Sequence, residues 1–310
     1  MVRSGMKERV LAAYERIRGT VRETPLERAA GCEAWLKLEH LQHTGSFKFR
    51  GAANKIGLLA GAQEVVTASN GNHGLGVAAA AEARGIAAEV FVSSHVSRAK
   101  AARIQARGAR ICYAGDDPLT AEMAARRAAE ETGRVYISPY NDLDVAAGQG
   151  TIAVELLRQA PDLDAVFVAV GGGGLIGGIG SYLKAMSPRT EVVGCWPENS
   201  PVMKACLEAG KIVEVAERPT LSESTAGGLE EGSVTFELCR QSIDRSVLVT
   251  EEEILGAMRF VLQTEHWLIE GAAGVAMAAY LKDAKRYHGR KAAVVLCGRN
   301  VSEAVLEKIC

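Results

Sequence analysis

Short runs of β-branched and other apolar residues alternate, for most of the chain, with longer stretches in which alanine and leucine recur at helical spacing. The short runs predict strands at Glu64–Ala68, Ala88–Val92, Arg110–Tyr113, Ala165–Val170, Glu191–Cys195 and Ala292–Leu296. The longer ones predict helices over Leu75–Arg84, Arg98–Arg107, Leu119–Thr132 and Gly148–Gln159. Such alternation belongs to an α/β protein, in which each helix is a crossover between parallel strands and the helices cover the sheets. No fixed-period repeat, low-complexity tract or long linker interrupts the pattern, so lobes are expected to meet through close-packed crossings.

In open parallel sheets the ligand lies beyond the carboxyl ends of the strands, so the strand-to-turn junctions carry the functional information. Three are distinctive: VVTASNGNHGLG (Val65–Gly76), VFVAVGGGGLIGG (Val166–Gly178) and AVVLCGRN (Ala293–Asn300). The second lies in Ala165–Leu183, nineteen residues without a charge, which raises the question of a membrane span. Seven of those nineteen are glycine, which would weaken a helix, so a buried strand followed by a glycine turn is the better reading.

Composition narrows the partners. With 310 residues at 48% hydrophobic, the chain can bury a core shared between two lobes. Lys+Arg 36 against Asp+Glu 37 leaves a net charge of -1, which offers no footprint for nucleic acid or a membrane surface and points to a small-molecule partner. The seven cysteines, Cys32, Cys112, Cys195, Cys206, Cys239, Cys297 and Cys310, form no C-x-x-C pair, so neither a disulfide framework nor a zinc site is expected. The opening MVRSGMKERVLAAYERIRG carries charge throughout its helical pattern and lacks the apolar core of a signal peptide. A cytoplasmic protein is expected.

Gly171–Gly174, between a strand and a helix, would present backbone N–H groups to an anion without Cβ interference, aided by the helix dipole. A phosphate is the natural occupant, although the same glycines would also serve a tight strand–helix crossing. Gly172, Gly174 and Gly177 also spell G-x-G-x-x-G with Glu191 or Glu198 downstream, so a nicotinamide-dependent oxidoreductase stays open as an alternative. No Walker lysine follows, which disfavours nucleoside triphosphate hydrolysis. SNGNHG (Ser69–Gly74) opens a helix with a polar, glycine-containing turn suited either to gripping a carboxylate or to ordinary capping.

Lys48 stands between Phe47 and Phe49 in HTGSFKFRGA (His43–Ala52). Apolar surroundings strip water from an ammonium group and favour the neutral amine, which is what Schiff-base chemistry needs. A phosphate cradle, a carboxylate-gripping turn and a desolvated lysine together describe pyridoxal phosphate with an amino-acid substrate.

In their order, GSFKFRGA, SNGNHG, AGQGTIAVELL, VGGGGLIGGI, LIEGAAGVA and VVLCGRN resemble the motifs of the serine/threonine dehydratase and serine racemase group of fold-type II pyridoxal phosphate enzymes, over about Thr24 to Val301. The resemblance implies a two-domain, tryptophan synthase β-like α/β fold in which each domain is an open, mostly parallel sheet. It implies a large cofactor-binding domain from 1–63 and 142–310, a small inserted domain from 64–141, and a homodimer. Lys48 would form the Schiff base, and Gly171, Gly172, Gly173, Gly174 and Leu175 would hold the cofactor phosphate. Asn72 would bond to the pyridine 3-hydroxyl, with Phe47 and Glu270 also in the cofactor set. Ser69, Asn70, Gly71, Asn72 and His73 would receive the substrate carboxylate. Cys297 would lie beside the pyridine nitrogen, where a neutral thiol makes the ring a weaker electron sink than an aspartate would and favours β-elimination. The implied activity is dehydration and deamination of L-threonine or L-serine to a 2-oxo acid and ammonia.

Four positions depart from the group's pattern, as does the segment TLSESTAGGLEEGSVTF (Thr220–Phe236), which is expected to line the substrate entrance. Asn70 replaces the serine expected of racemases, and an amide cannot exchange the required proton, so little racemisation is expected. Trp196 replaces an acidic cation ligand, so no metal is expected, although Glu198 and Asn199 lie nearby. Arg299 replaces a frequent glycine, and Tyr140 follows Pro139 where asparagine or phenylalanine is usual. Either change suits a larger or more polar substrate, such as a hydroxylated diamino acid, 3-hydroxyaspartate or phenylserine.

Overall fold

The computed structural model describes residues 2–61 and 64–310. Its strands are β1 (Leu26–Arg28), β2 (Trp35–Lys37), β3 (Val65–Ala68), β4 (Ala88–Val92), β5 (Arg110–Tyr113), β6 (Val135–Tyr136), β7 (Ala165–Ala169), β8 (Glu191–Pro197), β9 (Arg245–Val249) and β10 (Ala292–Val295). The helices of the first half are α1 (Val2–Ile17), α2 (Lys48–Gly57), α3 (Asn72–Arg84), α4 (Arg98–Gln105), α5 (Pro118–Thr132) and α6 (Leu143–Gln159). Those of the second are α7 (Gly174–Met186), α8 (Val202–Ala209), α9 (Val234–Ser242), α10 (Glu251–Glu265), α11 (Gly271–Asp283) and α12 (Glu303–Ile309).

Two sheets result, ordered β1-β2-β10-β7-β8-β9 and β5-β4-β3-β6, and every pairing except the antiparallel β1–β2 is parallel. The smaller sheet is made wholly from chain inserted between β2 and β7. Its apolar core also draws in Phe49, Ala52, Ala53 and Ile56 from α2 and Val145 from α6. The boundary expected at residue 63 falls on residues outside those described.

The uncharged stretch 165–183 is β7, the glycine turn and most of α7. Among the described residues no helix is long and apolar enough to cross a membrane. Two helices begin earlier than the apolar period alone predicts. Helix α6 starts at Leu143 because the Asp142 carboxylate accepts from the N–H groups of Asp144 (2.7 Å) and Val145 (3.0 Å). Its Gly148 is a packing requirement, since a Cβ there would lie 2.7 Å from the Arg50 carbonyl oxygen of α2. Helix α3 starts at Asn72, inside the polar turn.

A buried ionic cluster fixes the start of α2. The Arg50 guanidinium bonds Glu39 (2.8 Å) and Glu155 (2.5 Å), and Lys37 bonds Glu155 (2.6 Å), with all four side chains at 0–1% exposure. Thr24 Oγ1 donates to Glu39 at 2.5 Å. Two residues before Arg50 stands Lys48, so the cluster anchors the turn that aims that lysine.

Candidate active site

Lys48 is the first residue of α2, and its Nζ donates to the carbonyl oxygen of Pro139 at 2.8 Å. The ring of Phe47 lies 5.3 Å from that nitrogen, centroid to Nζ, and Phe49 is buried behind it. Loss of hydration holds the ammonium down to about 8, with the charge of Glu270 opposing the shift. The neutral amine is therefore reached from about pH 8, well below the range of an ordinary lysine.

Pro139 leads directly to Tyr140, whose ring packs on the tetraglycine turn. A Cβ on Gly172 would lie 2.4 Å from the Tyr140 ring, and one on Gly174 would lie 3.2 Å from its Cα. On the other side a Cβ on Gly171 would meet the Thr225 backbone at 2.8 Å, while Gly173 takes φ +83, in the left-handed region. Among the described residues no intramolecular hydrogen bond uses the N–H groups of Gly171, Gly172, Gly173, Gly174 or Leu175. Side chains are excluded from both sides, and a row of free donors opens α7.

At the third junction the buried Cys297 follows β10, and its carbonyl accepts from the Phe47 N–H at 3.0 Å, tying the lysine turn to the large sheet. Burial pushes its thiol well above the ordinary range, so it stays neutral. Glu270, the N-cap of α11, accepts from Asn72 Nδ2 (3.0 and 2.8 Å), the Asn300 N–H (3.2 Å) and Ser224 Oγ (3.3 Å). Asn300 Nδ2 also donates to Asn72 Oδ1 at 2.6 Å. Burial raises the carboxyl of Glu270, and these donors oppose the rise.

Within Ser69–His73 only Asn72 turns its side chain to this cluster. Ser69 Oγ accepts from the Gly71 N–H (3.1 Å), Asn70 exchanges hydrogen bonds with Ser93 (2.7 and 2.9 Å), and His73 Nε2 bonds the Ile137 carbonyl (2.9 Å). Burial and the nearby Lys48 hold His73 down to about 3, so it is neutral. These three side chains are spent shaping the turn and its neighbours.

Other candidates lie elsewhere. Arg299 is exposed, lies along Gly45 and has no ion-pair partner among the described residues. Trp196 is fully buried at the end of β8. Glu191, one acid of the oxidoreductase alternative, pairs with Arg245 (3.2 Å) and accepts from Tyr287 (2.7 Å), a structural commitment. Ser224 and Thr225 lie in Thr220–Phe236, expected from sequence as a lining of the substrate entrance but without individual roles, and Asn300 carried none. Asn300 stood in the quoted AVVLCGRN, but nothing in that string says which side chain turns back to Asn72.

A lysine with a weakened ammonium, a bare anion-ready helix start and a neutral thiol, gathered at the carboxyl ends of parallel strands, define an α/β enzyme built around a phosphate-bearing aldehyde cofactor. The family model described as pyridoxal-phosphate dependent enzyme matches residues 17–298. The chain belongs to that family, and pyridoxal phosphate is its cofactor. It is 41% identical over 289 residues to an L-threonine ammonia-lyase of Thermotoga maritima, covering 92% of this chain and 71% of that protein. Among solved structures it is similar to processed threonine deaminase isoform 2 from Solanum lycopersicum, at a TM-score of 0.93 and 31% identity over 99% of this chain and 87% of the other. It is also similar to maize serine racemase, at a TM-score of 0.91 and 29% identity over 97% of this chain and 95% of the other.

Proposed function

We propose that the enzyme is an ammonia-lyase that removes water from L-threonine or L-serine and releases ammonia and a 2-oxo acid. The observation that carries this reading is the depressed Lys48 amine held, through Pro139 and Tyr140, against the glycine turn. When bound, pyridoxal phosphate supplies an aldehyde and a conjugated ring that draws electron density from the amino acid's α-carbon.

The protein's own groups do the rest. The N–H row of Gly171–Leu175 binds phosphate with the help of the α7 dipole. The backbone of Ser69–His73 takes the substrate carboxylate, which fixes the α-hydrogen relative to Lys48. Lys48 Nζ, once free, accepts that proton and is the general base. Neutral Cys297 offers the ring no ionised partner, which favours prompt loss of the β-hydroxyl over reversible proton return. Asn72 and Glu270, locked together with Asn300, hold the edge of the cleft. Residues 64–141 act as a small lobe whose closure excludes water. All seven cysteines are unpaired, which supports a reducing cytoplasm as the working compartment, and a homodimer completes the reading.

Ammonia and oxo-acid release should be measured for L-threonine, L-serine, 3-hydroxyaspartate, phenylserine and a hydroxylated diamino acid. L-Threonine and L-serine are expected to turn over, and Lys48→Ala should lose that turnover. Wild-type protein that releases no ammonia from these two, or a Lys48→Ala variant with full turnover, defeats the proposal.

A further inference from the structure

The chain between α8 and α9 lies across the glycine turn, and its contacts converge on one acidic residue. Thr225 backs onto Gly171, and Thr235 Oγ1, just inside α9, donates to the Gly172 carbonyl at 2.6 Å. Between them Glu230 makes three links. Its N–H donates to the Tyr140 hydroxyl at 3.1 Å, its Oε2 accepts from Asn141 Nδ2 at 2.9 Å, and its Oε1 lies 2.8 Å from Arg126 Nη2, an ion-pair contact without hydrogen-bond alignment. Asn141 Oδ1 in turn accepts from the Val234 N–H at 2.9 Å, so Tyr140-Asn141 is gripped at several points by this segment.

Arg126 belongs to α5, which covers the small sheet, whereas Glu230 lies in the segment whose Thr225 and Thr235 touch the glycine turn. Arg126 does not depend on Glu230 for its place. It bonds Glu122 one turn earlier at 2.7 Å and lies 4.5 Å over the Tyr136 ring, which holds its positive charge beside Glu230. The pair joins a helix of the inserted sheet to the loop that covers the phosphate cradle.

We infer that Glu230 is a positioning residue: it clasps Tyr140-Asn141 onto the glycine turn and, through Arg126, couples occupancy of that turn to closure of the inserted lobe. Only the kinetic arm of this inference rests on the lyase reading. Both the bond to Asn141 and the ion pair use the carboxylate, but glutamine at 230 retains an acceptor for Asn141 while losing the charge that Arg126 faces.

The test compares Glu230→Ala, Glu230→Gln and Arg126→Met with wild type, in apoprotein titrated with pyridoxal phosphate and in limited proteolysis of the 220–233 segment. Glu230→Ala is expected to weaken cofactor binding about tenfold and to speed cleavage. Glu230→Gln should recover most of the cofactor affinity, whereas Arg126→Met should raise the KM for L-threonine about threefold, mimicking added salt, with kcat nearly constant. Cofactor affinity and cleavage of Glu230→Ala both within about twofold of wild type, at unchanged melting temperature, overturn the clasp. Should Glu230→Ala fail to fold, Arg126→Met decides: a KM and salt dependence equal to wild type overturn the coupling. If wild type has no turnover at all, the lyase reading falls, and the titration and proteolysis still decide the clasp.

Discussion

Lys48 and Pro139 are joined by a single 2.8 Å hydrogen bond from side-chain ammonium to backbone carbonyl, and the residue after that carbonyl is the tyrosine that lies on the glycine turn. The reactive nitrogen and the anion cradle are thus held in register through two consecutive residues.

This bond does not compensate the lysine for its lost water, and stability should show it. The ammonium is held down to about 8 from an ordinary 10.5, so the unfolded chain binds more protons between those values and stability rises with pH across that window. Below it the folded state carries a poorly hydrated charge. Lys48→Met is expected to stabilise the apoprotein at pH 7 by about 1–3 kcal/mol, with the gain shrinking above pH 8. Urea unfolding at pH 7 and pH 10 checks both the sign and the trend.

Gly172 is expected to tolerate no side chain. Gly172→Ala sets a methyl group 2.4 Å from the Tyr140 ring and should cost about 1–3 kcal/mol, with at least a tenfold loss of pyridoxal phosphate affinity. The double variant with Tyr140→Ala should recover part of the stability, and a positive coupling in the double-mutant cycle locates the clash.

Glu270 gives a pH signature of the opposite sense. Burial raises its carboxyl, so the native state binds the extra proton and stability falls as pH climbs from the ordinary 4.5 through the raised value. Glu270→Gln removes that slope and turns an amide toward Asn72 Nδ2, which lowers stability by about 1–3 kcal/mol at the acid end, where wild type is protonated. Parallel slopes for wild type and variant between pH 4 and 7 would contradict the assignment.

Arg50 should be the most sensitive structural position near the site. Arg50→Met strands the Glu39 and Glu155 carboxylates, whose one remaining cation is Lys37, and is expected to cost about 3–5 kcal/mol. Arg50→Lys should recover little, because an ammonium cannot reproduce a fork that meets two carboxylates at once. Denaturant midpoints of the two variants measure the difference.

Much of the architecture was legible because parallel strands buried on both faces read as apolar runs, and the junctions after β3, β7 and β10 could be named from letters alone. Lys48 and the tetraglycine were legible for a similar local reason, since flanking phenylalanines desolvate an amine and four glycines have few other uses. What escaped was set by distant neighbours. Asn70 was expected at the substrate, and the letters could not show that its side chain is taken by Ser93, 23 positions along the chain, which leaves only its backbone for that role. Ser224 and Asn300 meet at Glu270 only because separate turns fold onto the N-terminus of α11. Arg299, for its part, was given weight because it replaces a frequent glycine with a charge, and the fold leaves it on the surface.

Helix α2 is shared between the two sheets in an uneven way. Its first residue is tied, through the preceding Phe47, to the end of β10, while its body, Phe49, Ala52, Ala53 and Ile56, lies in the apolar core of the inserted sheet. Lys48 therefore sits at a fulcrum: if the inserted sheet swings, the Ser69–His73 turn at its rim sweeps through an arc while the lysine, near the axis, hardly shifts. On the proposed reading the base would then stay in place, while the turn assigned to the substrate carboxylate opens and shuts.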